Sequence, residues 1–440
     1  MLELKDFEAA ADRLKNVIHN IPLSTSATFS AMTGAEVYLK YENQQKTGSF
    51  KVRGAYNKIM KRYAEGDLHA VVASSAGNHA QGVAFAASSV GVKSTIVMPR
   101  STPIAKVSAT QGYGADVVLA GNIYDEAYAK ACEICEATGA EFIHPFDDED
   151  VMAGQGTIAL EILRDLPFVD MIFVPAGGGG LISGVAACAK QINPRIQIIG
   201  VQAEGAPAIA NSFRAGERKP SDSVHTIADG IAVKTPGEKT FEYIQKYVDR
   251  VVTVSDDEIA SAVLLLLERC KQVVETSGAA PLAAVLNNKV DVKGKKVVCV
   301  LSGGNIDVSF IHKIVEKGLI TRCRQLKFSV LMPDAPGALE RFSHIVAQQN
   351  ANIILFQHDR VQTDLEIGEA IIHVVCEVGG VDHAKRLIDT LGREGYRVFT
   401  SQIYGGASQA LSDRRHFRRR SFQIYTEIKT QRAFCTRAGR

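Results

Sequence analysis

Three times along this chain a short run of β-favouring residues ends in small, flexible residues and passes straight into a helix-like stretch. No other feature restricts its fold as strongly. The runs at 70–73, 171–174 and 296–301 lead into Ser74-Ser75-Ala76-Gly77-Asn78-His79, Gly177-Gly178-Gly179-Gly180-Leu181 and Ser302-Gly303-Gly304-Asn305. Strands joined through helices pair in parallel, with helices covering both faces of the sheet. Further runs at 94–98, 116–119 and 197–201, with helical stretches at 78–89, 154–165, 181–191 and 308–317, extend the pattern from residue 51 to 317. In folds of this kind the loops leaving the strand ends are where ligands bind.

Near residues 320–325 the rhythm changes to strand, helix, strand, strand, helix, strand, ending at Tyr404. The first helix there places Leu339, Phe342, Ile345 and Val346 on one face, and the alternation through Ile371, His373 and Val375 marks a half-buried antiparallel strand. The expectation is α/β overall: two parallel-sheet lobes, followed by an α+β unit of ferredoxin-like βαββαβ order.

A chain of 440 residues with 46% apolar content can bury such cores. Residues 1–10 carry acids in place of a basic leader, and the apolar run Leu264-Leu265-Leu266-Leu267 stops at Glu268 and Arg269, so neither a leader nor a membrane span is expected. Eight cysteines without paired spacing fit reduced thiols and a cytoplasmic location. Cys132-Glu133-Ile134-Cys135 falls in a helix-like stretch with no second pair nearby, which suits two buried thiols one turn apart better than a metal site. Net charge is +2, but residues 411–440 hold +7, leaving −5 for the rest. That basic tail has no heptads and no glycine-rich motif, so a disordered extension at 405–440 is expected, not a nucleic-acid arm.

Chemistry concentrates around Ser49-Phe50-Lys51-Val52-Arg53-Gly54-Ala55, where a lysine sits at the entry to a helix. An ordinary lysine, with a pKa of about 10.4, is a poor nucleophile at neutral pH. Burial and the positive helix end both favour the neutral amine, which makes Lys51 a candidate Schiff-base lysine. A solvated surface lysine is the commoner situation. Two other loops shift the balance, because they suit the rest of a phosphorylated cofactor. The run Gly177 to Leu181 can turn its backbone N–H groups onto a phosphate, or serve as a plain flexible turn. It matches neither the dinucleotide nor the triphosphate glycine motif. Ser302 can offer a hydroxyl to a ring nitrogen, or cap a helix. The amides of Ser74, Ser75, Ala76 and Gly77 suit a substrate carboxylate, and Asn78 can hydrogen-bond a cofactor oxygen. His79 is a possible base, although a histidine in a helix's first turn is more often a structural hydrogen-bonding group.

With these motifs in view, the chain from about residue 22 to 404 resembles the threonine dehydratases (threonine ammonia-lyases) of the pyridoxal-phosphate fold type II group, whose lobes are like those of the tryptophan synthase β subunit. The resemblance rests on Lys46-Thr47-Gly48-Ser49-Phe50-Lys51-Val52-Arg53-Gly54-Ala55, the Ser75 to His79 loop, the glycine run, Thr226-Ile227-Ala228-Asp229-Gly230 and Ser302-Gly303-Gly304-Asn305. It implies a catalytic region at 1–320, with a smaller lobe at about 50–150 and a larger lobe from 1–49 and 151–320. It also implies pyridoxal phosphate joined to Lys51, with Phe50 beside it, Gly177, Gly178, Gly179, Gly180 and Leu181 on the phosphate, Asn78 on the ring hydroxyl, Gly230 beside the ring and Ser302 at its nitrogen. The implied substrate is L-threonine, or L-serine, held by Ser74, Ser75, Ala76, Gly77 and His79.

Serine racemase is similar too, but carries a serine immediately before Gly-Asn-His where this chain has Ala76. With only Lys51 as an evident base, elimination is expected over racemisation. A serine or 3-hydroxyaspartate dehydratase and a non-catalytic amino-acid sensor stay open on the same motifs. Related enzymes place a divalent cation near Glu204 with a second carboxylate six residues on, where this chain has Ala210, so no metal is assigned. The segment 325–404 resembles an ACT domain, an amino-acid-sensing module, through Asp334-Ala335-Pro336-Gly337-Ala338-Leu339. That implies an isoleucine or valine effector near Asp334, Pro336, Gly337 and Leu339, in a homodimer or homotetramer that feeds isoleucine biosynthesis.

Overall fold

The computed structural model describes residues 1–360 and 366–400. The basic tail at 405–440 therefore lies outside the described residues. Two compact units divide the chain, Met1–Ile314 and a second that begins at Val315, and the division falls inside the helix Val308–Thr321.

In the first unit the strands are β1 (Ser24–Thr25), β2 (Glu36–Tyr41), β3 (Ala70–Ser74), β4 (Lys93–Met98) and β5 (Asp116–Leu119). They continue with β6 (Glu141–Phe142), β7 (Met171–Pro175), β8 (Gln197–Ala203), β9 (Arg250–Val254) and β10 (Lys296–Leu301). They form two sheets, a six-stranded one ordered β1-β2-β10-β7-β8-β9 and a four-stranded one ordered β5-β4-β3-β6. All pairings are parallel except the short β1–β2 edge. The central strands β7, β8 and β10 are almost continuously buried, as a sheet covered on both faces requires. The sequence pattern missed β2 and β9, and also the two-residue strands β1 and β6, which are too short to show a period.

The larger core packs Phe7, Ile158, Ile162, Ile172, Ile182 and Val298, and the smaller one packs Ile59, Val71, Val83, Ile96 and Met98. Close helix crossings link the sheets. The helix Glu149–Asp165 starts five residues earlier than the sequence pattern suggests, because Asp148 caps it by accepting from the Val151 amide at 3.1 Å. A Cβ on Gly154 of this helix would lie 2.5 Å from the Arg53 carbonyl, and one on Gly184 would strike the Met152 carbonyl. Backbones meet there only because side chains are missing. Cys132 and Cys135 are only partly buried, because the helix Tyr124–Thr138 turns Ala127 and Ala131 to the core instead. The seven cysteines among the described residues are all free.

Beneath the start of the helix Lys51–Ala64 lies a cluster of ionic side chains. Arg53, with no exposed surface, donates to Glu42 through Nε at 2.7 Å and Nη2 at 2.8 Å. It donates to Glu161 through Nη1 at 2.7 Å and Nη2 at 2.9 Å. Lys40, equally buried, donates to Glu161 and to the Ile21 carbonyl, each at 2.5 Å. The paired carboxylates raise the Arg53 pKa above its ordinary value in spite of burial.

In the second unit, β11 (Gln325–Pro333), β12 (Asn352–Asp359), β13 (Glu369–Glu377) and β14 (Arg397–Phe399) form an antiparallel sheet ordered β12-β13-β11-β14, with helices Ala338–Gln348 and Val381–Arg393 between them. This is the ferredoxin-like order. Two details differ from the sequence pattern. The core face of β13 is Ala370, Ile372, Val374 and Cys376, one residue out of step from Ile371, His373 and Val375. Leu339 is 43% exposed, and Ala338 takes the inward position beside Phe342 and Val346. Both strand faces carry apolar residues, so alternation alone left the register open. Among the described residues no helix is long and apolar enough to cross a membrane.

Replacing Arg53 by Leu leaves Glu42 buried with Lys40 as its remaining cation, 4.0 Å away. Breaking a buried ionic set this way costs about 3–5 kcal/mol. The midpoint of chemical unfolding of the first unit should fall accordingly.

Candidate active site

Lys51 begins its helix directly after a turn that is stitched to the end of β10. The Phe50 amide donates to the Ser302 carbonyl at 3.0 Å, the Gly304 amide donates to the Gly48 carbonyl at 2.9 Å, and Ser49 pairs with Gly303 as an isolated antiparallel bridge. Gly48 has φ +72°, and a Cβ on it would lie 2.5 Å from Asn305 Oδ1, so glycine is required twice over. The helix Asn78–Ser89 packs close behind: a Cβ on Gly82 would be 3.1 Å from the Lys51 carbonyl.

From Lys51 the contacts run round a closed ring. Its Nζ donates to the Pro145 carbonyl at 2.7 Å and lies 5.2 Å from the centre of the Phe50 ring. The next residue, Phe146, lies under the glycine run, where a Cβ on Gly180 would be 2.8 Å from its Cα and one on Gly178 would enter its ring. Gly177 abuts Ile231 and Gly230, with 2.9 Å from its would-be Cβ to Ile231 Cα. Gly230 in turn abuts Ser277, and Gly303 abuts both Glu275 and Asn78. The circuit closes at Phe50 through Ser302. All three strand-end loops singled out from the sequence therefore meet at one place, together with Gly230.

Burial lowers the Lys51 pKa to about 8, and the neighbouring Glu275 charge offsets part of that drop. The residue as a whole is partly buried. His79 donates from Nε2–H to the Ile143 carbonyl at 2.8 Å, and burial, with the nearby Lys51 amine, depresses its pKa to about 3. It is thus a neutral imidazole. Ser74 is fully buried, and the Ser75 hydroxyl accepts from the Gly77 amide at 3.2 Å. Ala76 and Gly77 are partly buried at the same turn. Asn78 is already engaged: its Nδ2 donates to Glu275, and its Oδ1 accepts from Asn305 Nδ2 at 2.7 Å.

Glu275, Pro145, Phe146 and Ser277 belong to this ring and carry no motif that marked them in the sequence. For Glu275 a signal existed, an acid set between Val273-Val274 and Ala279-Ala280. Burial pushes its carboxyl up to about 7; the Asn78 hydrogen bond and the Lys106 and Lys51 cations pull it down, while Asp229 adds to the rise.

Away from the ring, Glu204 lies 3.8 Å from the Lys289 ammonium, which is 3.0 Å from Glu258. Among the described residues no group of three His, Cys, Asp or Glu is placed to hold a metal. In the second unit, Asp334 pairs with Arg360 at 3.0 Å, Gly337 takes the left-handed φ of +84° that starts its helix, and Pro336 and Leu339 are exposed.

A sequence model of the family described as pyridoxal-phosphate dependent enzymes matches residues 14–303, and this chain belongs to that family. It is 50% identical over 398 residues to the L-threonine ammonia-lyase of Thermotoga maritima, spanning 90% of this chain and 99% of that protein. Among solved structures it is similar to the processed form of threonine deaminase isoform 2 from Solanum lycopersicum, with a TM-score of 0.68 and 40% identity over 72% of this chain and 94% of that one. Maize serine racemase is similar as well, with a TM-score of 0.68 and 36% identity over 72% and 98% of the two chains.

The cofactor of the family is pyridoxal phosphate, and the ring fits it on its own terms. The amides of Gly177, Gly178, Gly179, Gly180 and Leu181 find no acceptor among the described residues and open the helix Gly180–Ile192, as an anion cradle requires. Side chains are excluded there. Thr47, Ser49, Ser74 and Ser277 have buried hydroxyls without a hydrogen-bond partner, as does His79 Nδ1, so the neighbourhood is rich in polar atoms still to be satisfied.

In cofactor-free protein, the rate at which Lys51 is modified by an amine-directed reagent should rise through a midpoint of about pH 8, where burial has placed it. Peptide mapping after labelling across pH 6 to 11, roughly the span from the lowered value to that of free lysine, checks this.

Proposed function

We propose that this chain eliminates the β-hydroxyl of L-threonine and releases 2-oxobutanoate and ammonia, and that it converts L-serine to pyruvate in the same way. The observation that carries the reading is the amine of Lys51, desolvated to a pKa of about 8 and ringed by the strand-end loops. The half-identical Thermotoga maritima L-threonine ammonia-lyase, matched along nearly its whole length, supports the choice of substrate.

Gly177 to Leu181 would hold the phosphate of the bound cofactor, Asn78 its ring hydroxyl and Ser302 its ring nitrogen, with Gly230 beside the ring. When bound, pyridoxal phosphate supplies an aldehyde carbon for the substrate amine and a ring that draws off the electron pair left at the α-carbon. Lys51 takes the α-proton at Nζ; an amine titrating near neutrality is suited both to accept and to return it. The Ser74 to Gly77 turn offers the substrate carboxylate the Ala76 amide, since the Ser75 amide donates to the Val97 carbonyl and the Gly77 amide to the Ser75 hydroxyl, each at 3.2 Å. Ser302, a hydroxyl and not a carboxylate, would not keep the ring nitrogen protonated, which would favour prompt loss of the β-substituent. The Cβ–O bond breaks as the proton held at Lys51 Nζ passes to the departing hydroxyl, which leaves as water. Hydrolysis of the released enamine takes one water back and frees ammonia.

Position 76 separates this reading from racemisation. Ala76 has no group to deliver a proton to the opposite face, whereas His79, neutral and tied to the Ile143 carbonyl, is occupied structurally. The second unit is read as an amino-acid-sensing ACT module that binds isoleucine or valine beside Asp334, Pro336, Gly337 and Leu339, in a dimer or tetramer of a cytoplasmic enzyme serving isoleucine formation. Its sheet order and the left-handed Gly337 turn support that reading.

Keto-acid release from threonine and serine should fall about 10³-fold or more in Lys51→Ala. Isoleucine should shift the wild-type saturation curve. Unchanged turnover in the variant would remove the mechanism, and indifference to branched-chain amino acids would remove the sensor. In a second test, Ala76→Ser should begin to form D-serine from L-serine, followed by chiral chromatography, while the wild type forms none.

A further inference from the structure

Both carboxylate oxygens of Glu275 lie 3.0 Å from one atom, the side-chain nitrogen of Asn78. Glu275 is itself only 6% exposed and is anchored by its backbone, whose N–H donates to the Gly303 carbonyl at 2.9 Å. Gly303 leaves the space for this contact, since a Cβ there would sit 2.5 Å from Glu275 Oε1 and 3.1 Å from Asn78 Nδ2. Across the amide, Asn305 Nδ2 donates to Asn78 Oδ1 at 2.7 Å and to the Thr47 carbonyl at 2.8 Å.

An asparagine amide has two orientations of similar shape and opposite polarity. Here only one is tolerable, because the flipped form would set Oδ1 against a buried carboxylate and Nδ2 against the donor of Asn305. We infer that Glu275 is a positioning residue that holds the Asn78 amide in one orientation, so that the N–H not engaged by the carboxylate is kept available to an oxygen of the bound cofactor. The inference rests on the cofactor reading given above. It assigns Glu275 no contact with substrate. A negative partner suits the task better than a neutral one, since it both accepts from Nδ2 and repels Oδ1, and hydrogen bonds to charged groups are the stronger kind.

The test is a double-mutant cycle on cofactor uptake, read from the visible absorption band as pyridoxal phosphate is titrated into cofactor-free protein, so that turnover is not needed. Glu275→Ala and Asn78→Ala should each weaken uptake about tenfold, the worth of a charge-assisted hydrogen bond. If Glu275 acts through Asn78, the double variant should be no worse than about threefold beyond Asn78→Ala alone. Glu275→Gln, whose carbonyl oxygen can still accept from Nδ2, should stay within about threefold of the wild type. Should Glu275→Ala fail to fold, Glu275→Asp replaces it in the cycle: it keeps the charge, draws the carboxylate back by one methylene, and should match the loss expected of Ala.

Additive losses, or a Gln variant as impaired as the Ala variant, would overturn the assignment, since either means that Glu275 acts independently of Asn78. Wild-type protein that takes up no pyridoxal phosphate would instead overturn the cofactor reading on which the assignment rests.

Discussion

The hydrogen bond from the Phe50 amide to the Ser302 carbonyl is the contact on which the site depends. It joins a turn of the chain's first fifty residues to the end of a central strand, and it does so one residue before Lys51. The Ser49–Gly303 bridge and the Gly304–Gly48 bond extend it to a short stretch of paired backbone. Because each group is backbone, the position of Lys51 is set by main-chain geometry, and the side chain is free to vary its contacts as ligands come and go. Without this join, the lysine helix and the Ser302 to Asn305 loop would belong to separate parts of the molecule.

Parallel topology then accounts for the rest of the gathering. Strands running the same way present their ends on one side, so β3, β7 and β10 deliver their loops to the same region although they belong to two sheets. Glycines at the helix crossings let these elements approach to backbone distance. The same absence of side chains serves a different purpose in the glycine run, where it exposes amides. The chain thus uses one residue type for close helix packing at Gly154 and Gly184 and for unengaged amides at Gly177 and Gly178.

What could be read in advance follows from this division. Loops that end strands and open helices have a local signature, so Lys51, the Ser74 to His79 turn, the glycine run and Ser302 stood out, and the structure brings them together. The α/β order and the βαββαβ unit were legible because each depends on periodicity. Pro145 was not, and Glu275 showed only as an acid among apolar residues, since each contributes through a contact with a residue more than ninety positions away and local pattern records nothing of partners so distant. Asn78 shows the same limit from the other side: its identity was informative, but its engagement by Glu275 and Asn305 exists only in three dimensions. The register of β13 was lost for a simpler reason, that Ile371 and Ile372 are both apolar and either could face inward.

The cluster beneath the lysine helix is electrically balanced, with Lys40 and Arg53 opposite Glu42 and Glu161. Dissolved ions screen exposed charges over about 8–10 Å at physiological strength but reach buried ones poorly. A neutral quartet with only Glu161 partly exposed also projects little field beyond itself. The footing of Lys51 should therefore be indifferent to ionic strength, and any response of the enzyme to salt has to originate at its surface.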